Sequence, residues 1–159
     1  MVQTTTTPAG SRDALAPDDP VLARRIATVV AGTFLLVGVL GFVPGVTQHL
    51  GDITFAGHDS GAELLGLFQV SILHNIVHLA FGIVGLLAAR QGRAAVLYLL
   101  AGGSVYLLLA AYGSLVGHDH DANVVPVNTA DDWLHLGLGV AMIGLGLVVR
   151  GRGRTAPAR

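Results

Sequence analysis

Four long apolar runs divide the chain, at residues 26–43, 64–89, 94–116 and 133–149, and none contains Asp, Glu, Lys or Arg. A hydrocarbon core of about 30 Å takes about 20 helical residues, with spans of about 17–25 tolerated. Each run therefore predicts a membrane-crossing helix. Strands are excluded because the backbone in lipid must pair internally, and neither alternation nor barrel-length repetition is present. The second run exceeds what a bilayer requires, so its helix is expected to tilt or project. The fourth is short, so its helix is expected to begin in the polar turn at Asp131 and Asp132. The predicted class is all-α: a transmembrane four-helix bundle over 24–149, flanked by a tail at 1–23 and an Arg-rich tail at 150–159. A water-soluble bundle is excluded, because four uncharged helices offer no polar face to water.

Charge adds orientation. Only 12% of residues are charged, and mean hydropathy is +0.66. Every basic residue is Arg: Arg12, Arg24 and Arg25 before the first run, Arg90 and Arg93 between the second and third, and Arg150, Arg152, Arg154 and Arg159 after the fourth. Four crossings put all of them on one side. Asp52, Asp59, Glu63, Asp119, Asp121, Asp131 and Asp132 fall on the other. Cytoplasmic loops carry the excess of Arg and Lys. Both termini are thus expected in the cytoplasm, and the loops at 44–63 and 117–132 outside. The first run lies behind a long polar stretch, which reads as an uncleaved span and not a secretory leader. Both tails have too little apolar surface to pack and are expected to lack fixed structure. The basic C-terminal stretch suits lipid headgroups; without interleaved aromatics it does not predict nucleic-acid binding.

Small residues then suggest how the helices pack. Lipid tails remove most of the hydrophobic drive between helices, so close approach and interhelical hydrogen bonds matter more. Stripes at helical spacing run through Ser71, His74, Asn75, His78, Gly82 and Gly85 in the second run. They continue through His135, Gly139, Met142 and Gly146 in the fourth, Gly38 and Gly41 in the first, and Gly102, Gly103, Tyr106 and Gly113 in the third. A weak internal match accompanies them. His78-Leu-Ala-Phe-Gly82 aligns with His135-Leu-Gly-Leu-Gly139, which sets Asn75 against Asp132; AGTF at 31–34 is similar to AGGS at 101–104. Duplication of this kind predicts two parallel helical hairpins about an axis along the membrane normal.

The candidate chemistry is histidine chemistry. His74 and His78, four residues apart, share one helix face, and His135 lies near the outer end of its own run. Ser71, His74, Asn75, His78, Asp132 and His135 form the predicted intramembrane polar cluster. Three readings are open. The first is structural: neutral imidazoles bonded across the helix interface, since a buried polar group left unpaired is costly. The second is a transition-metal or haem site, because imidazole suits Zn, Cu and Fe. The third is proton or solute movement, because histidine exchanges protons near neutral pH. Outside the membrane, His118 and His120 with their neighbouring Asp residues offer a second, weaker set of metal donors, although a polar, solvated turn between spans is the preferred reading of this loop. Enzymatic chemistry finds little support. There is no Cys, no phosphate-binding glycine loop, and HNIVH lacks the Glu of a zinc-protease motif. No catalytic residue and no cofactor is assigned.

HNIVHLAFGIVGLLAAR at 74–90 and VPVNTADDWLHLGLGVAMIGLGL at 125–147 resemble the small bacterial four-helix membrane proteins grouped as domain of unknown function family 4383. The likeness covers roughly 24–149. It implies that Asn128, Asp131, Trp133, His135 and Gly139 carry the family pattern, with Asp132 where Asn is more usual. It also implies an actinobacterial source and a place in the bacterial inner membrane, and it supplies no activity. The sequence thus predicts an accessory or interaction module of the cell membrane. Its partners would be the lipid bilayer and another copy or another membrane protein. A transporter or proton conductor is the first alternative, and a metal- or haem-binding redox protein the second.

Overall fold

A computed structural model describes residues 15–150. The expected unstructured stretches at 1–14 and 151–159 lie outside these residues. The elements run α1 (Pro20–Leu40), β1 (Thr47–Gln48), a single 3-10 turn (Leu50–Asp52), β2 (Glu63–Leu64), β3 (Phe68–Gln69), α2 (Ile72–Ala88), α3 (Gly92–Val116) and α4 (Thr129–Val149). The fold is an all-α four-helix bundle with one small sheet at the end opposite the arginines.

The helices start where their caps allow. Asp19 accepts hydrogen bonds from the Val21 and Leu22 amides, and Pro20 opens α1. The helix therefore begins inside what the sequence reading assigned to the N-terminal tail, and it ends at Leu40, short of the predicted 43. Asn128 caps α4 in a reciprocal box with Asp131, so α4 takes in the DD turn and extends its short apolar run. At the other end Arg24 donates to the Ala89 carbonyl at 3.0 Å, satisfying the end of α2.

The second apolar run is not one helix. Its first part, 64–70, folds into the antiparallel β2–β3 hairpin, with Glu63 opposite Gln69 and Leu64 opposite Phe68. β1 pairs on its other side. Leu65 and Gly66 turn the chain with φ of +56° and +67°, a conformation that Gly adopts freely and Leu does not. Ala62, Leu64 and Val70 are buried under the hairpin against Val37, Leu40, Val46, Ile53 and Phe68. Tertiary burial of these residues outcompetes helix continuation, and Ser71 caps the helix that follows by accepting from the His74 amide. α2 is consequently 17 residues long. The other three helices are long and apolar enough to cross a membrane.

The surface is apolar and the interior is small or polar. Val29, Leu108, Leu115 and Val148 are 69%, 70%, 85% and 72% exposed, while Ser71, His74, Asn75, His78, Asp131, Asp132 and His135 are buried. So broad an apolar exterior marks contact with lipid or another protein.

α1 packs chiefly on α2 and α3 on α4, giving the two hairpins that the internal match predicted. Their contacts correspond. A Cβ at Gly82 would strike Leu35 and the Ala31 carbonyl; one at Gly139 would strike Leu107 and the Gly103 carbonyl. A Cβ at Gly41 would overlap the Asn75 amide, and one at Gly113 the Asp132 carboxylate. Ser71 and Asn128 are the two corresponding caps. The same register matches Phe34 with Tyr106, which stack at 5.1 Å where the hairpins meet. It corrects the alignment of AGTF with AGGS: Ala31 corresponds to Gly103, two positions further along the chain than that pairing allowed.

Close approach is most constrained at Gly103, where an added Cβ would lie 2.8 Å from the Gly139 carbonyl oxygen and 2.9 Å from the Ile143 amide. Backbone cannot rotate away. Gly103→Ala is expected to force α3 from α4 and cost about 1–3 kcal/mol, as overpacking does. Gly144→Ala, with nothing within 4 Å, is expected to be neutral or slightly stabilising. Denaturation in detergent of the two variants side by side measures the difference.

Candidate functional site

The N-terminal parts of α2 and α4 share the sheet-bearing end of the bundle. His74 and His78, one turn apart on α2, face His135 on α4. One ligating atom from each lies within 4.8 Å of the others, and all three residues are buried. The His74 and His78 ring centroids are 4.7 Å apart, and those of His74 and His135 are 6.0 Å apart. Tyr106 lies 5.2 Å from His135 and Phe34 lies 5.7 Å from His78, centroid to centroid. These aromatic rings floor the cluster on its bundle side.

Hydrogen bonding separates the three imidazoles. His74 Nδ1 is 3.1 Å from the Pro126 carbonyl, which makes Nδ1 the protonated nitrogen and leaves Nε2 with a lone pair. His78 Nδ1 and His135 Nδ1 are buried without any partner. An unpartnered buried nitrogen normally costs about 1–3 kcal/mol.

A cavity of about 200 Å³ opens beside the cluster. His74, His78, His135 and Asp131 line it together with Val37, Leu64, Leu65, Phe68, Val70 and Leu134, and the surface they present to it is almost entirely carbon. The sheet hairpin therefore forms part of its wall. Asp131 Oδ2 accepts from the Gln69 amide and the Asn128 amide, each at 3.0 Å, and Asn128 Nδ2 donates to the Leu67 carbonyl at 2.8 Å. The start of α4 thus ties down the hairpin as well as lining the cavity.

The repeat explains this set of four. Its register matches His74 with Asp131 and His78 with His135, so each hairpin contributes one pair of residues four apart on one helical face. The cross-ties also correspond. His74 reaches the backbone at Pro126 in the second half, and Asp131 reaches the backbone at Gln69 in the first.

The remaining sequence-selected residues lie elsewhere. Ser71 caps α2. Asn75 points to α1 and donates to the Gly41 carbonyl at 2.9 Å. Asp132 turns away from the three histidines toward His118 Nε2, 2.9 Å distant, leaving Oδ1 buried and unpartnered. His118 and Asp132 line a separate groove between α3 and α4 with Ser114, Thr129 and Trp133. His120 Nδ1 accepts from the Ala122 amide within its own turn. His118 and His120 therefore serve different local contacts. Asp131 is the cavity residue that sequence reasoning left out of the cluster. Extending the aligned pair Asn75 and Asp132 back by one position would have found it.

Apolar helices around a buried polar centre define a bundle of the membrane-protein class. Residues 24–148 match the family described as Domain of unknown function (DUF4383), and the chain belongs to that family. Comparison with curated proteins and with solved structures finds no match.

Asp131→Ala leaves the Gln69 and Asn128 amides without an acceptor. It is expected to lower stability by about 1–3 kcal/mol and to speed amide hydrogen exchange at Gln69 and across the first turn of α4. Asp132→Ala, which does not touch the hairpin, is expected to leave Gln69 exchange unchanged.

Proposed function

We propose that this chain is an integral protein of the bacterial inner membrane that holds one transition-metal ion on His74, His78 and His135, near the outer face. The observation that carries the reading is the convergence of three buried imidazoles, two with unpartnered Nδ1 atoms, on the wall of a cavity. Three atoms at the limiting mutual spacing surround a point about 2.8 Å from each, and imidazole–zinc bonds are about 2.0–2.1 Å. Side-chain rotations of under about 1 Å close that gap. An ion bound by one nitrogen of each imidazole would give the group a common partner, with His74 ligating through Nε2 because Nδ1 is held by Pro126. The Pro126 carbonyl behind His74 is the usual outer support for a metal-bound imidazole.

The accessory role that leads from sequence alone is less well supported. A cluster that served packing would have its imidazoles bonded to neighbours, as Asn75 is. Transport is also less well supported, since beyond its four polar residues the cavity is walled by Val, Leu and Phe. Haem is larger than this space, which falls below the roughly 300–1,000 Å³ of drug-sized ligand sites.

Orientation follows from charge. Among the described residues, Arg24, Arg25, Arg90, Arg93 and Arg150 gather at the end where α1 and α3 begin and α2 and α4 finish. That end belongs in the cytoplasm, and the histidine end faces outward.

Protein purified in detergent without chelator is expected to carry about one Zn, Cu, Fe or Ni per chain by elemental analysis. His78→Phe is expected to bring this to background while circular dichroism keeps its helical signal. Wild-type protein that neither carries nor takes up any of these ions overturns the reading. For topology, the chain's lack of Cys makes single substitutions clean reporters. Phe55→Cys and Ala122→Cys are expected to react with a membrane-impermeant maleimide in intact spheroplasts. Labelling only after permeabilisation reverses the orientation.

A further inference from the structure

We infer that the metal ion keeps a coordination position open toward the cavity, and that this position takes a small ligand of a few heavy atoms bound to the ion through one of them. The inference rests on the three-histidine reading and adds the ligand class to it.

The geometry of supply comes first. All three imidazoles come from helices, two from one face of α2 and one from α4, while Leu64, Leu65 and Phe68 of the hairpin line the same cavity with no ligating side-chain atom. Among the described residues no fourth His, Cys, Asp or Glu joins the convergent group. Three protein ligands with a vacant fourth position is the arrangement of sites that bind an outside molecule, whereas structural zinc sites close with four.

The space beside the ion sets size and polarity. About 200 Å³ holds several atoms but not a drug-sized molecule. Leu65 is 65% exposed and Leu134 37% exposed, and both line the cavity, so it reaches the surface between the hairpin and α4. Its apolar walls offer an entering molecule few hydrogen bonds. Affinity must then come from the ion itself, which selects small anions that bind through one atom, such as azide or cyanide, over chelating or extended molecules.

Charge supports an open site in this place. Three neutral imidazoles leave a divalent ion uncompensated in a low-dielectric interior, which is costly. Asp131 is the one carboxylate on the cavity wall. Two backbone amides hold it there, so it balances part of the charge without joining the three histidines. An incoming anion supplies the remainder.

Co(II) replaces the native ion, because its visible bands report coordination number, and azide serves as the probe. Wild-type protein loaded with Co(II) is expected to change its visible spectrum saturably with azide. Leu134→Trp, which fills the cavity from α4, and Leu65→Trp, at the exposed mouth, are expected to keep full Co(II) loading and to weaken azide binding at least about tenfold, or 1.4 kcal/mol. The Leu65 change sits at a solvent-facing position, so it reports even where the Leu134 change harms folding. Failure to load Co(II) defeats the three-histidine site itself. Full loading with no azide response defeats only the open position. An azide response undiminished in both tryptophan variants shows that the ligand enters elsewhere and overturns the role given to this cavity.

Discussion

The structure depends on backbones that approach closely enough to lie against one another. In lipid, burying apolar side chains between helices gains little, because the tails outside are equally apolar. What remains is contact density and hydrogen bonding, and both need short interhelical distances. Gly82, Gly85, Gly103, Gly139 and Gly146 provide them; at each of these an added Cβ would collide with a facing helix. Large side chains are thereby displaced outward, and the exterior becomes the leucine- and valine-rich surface that a bilayer solvates. The polar residues are left inside by the same arrangement. Asn75 and Asp132 fit only because Gly41 and Gly113 opposite them have no side chain.

Polar groups then carry the connections that apolar contacts cannot specify. Arg24 ends α2, Asp19 and Ser71 begin two helices, and the Asn128–Asp131 box begins a third. Asp131 does more than cap, because its carboxylate also takes the Gln69 amide and Asn128 reaches the Leu67 carbonyl. The hairpin β2–β3 is thus joined to the helix that bears His135. Such a linkage fixes the cavity wall relative to His74, His78 and His135.

Much of this was legible in the sequence. Four uncharged runs, separated so that every arginine falls at one end, gave the bundle, and the HLxxG repeat gave the pairing of hairpins. The second run misled because 64–70 is as apolar as a membrane helix. Its signals for a different fate were local: Gly66 at the turn, and Ser71 placed where a helix cap belongs. Periodicity outweighed them because the buried neighbours of Leu64 and Val70 come from α1 and from the 44–53 loop, which no local pattern reveals. The histidine face of α2 was equally plain. Its grouping with His135 was read as well, but not the geometry of their contact, since that depends on how far α2 is set back by the hairpin before it.

The correspondence between the two hairpins also locates the asymmetry of the site. Two equal hairpins related by an axis would place two identical pairs around it, and a pair of residues four apart from each half gives four inward-facing positions. In this chain those positions are His74, His78, Asp131 and His135. Among these four the departure from symmetry falls at the 74/131 pair alone, and it exchanges an imidazole for a carboxyl group. The two residues nonetheless make corresponding ties, each to backbone of the opposite half, so the scaffold tolerates either. What differs is the chemistry offered to the cavity. A second His–His pair would surround an ion with four neutral imidazoles and close it. The Asp, held by two amides at the edge of the cavity, leaves three imidazoles facing one another there. A nearly symmetric frame thus carries an asymmetric set of polar side chains.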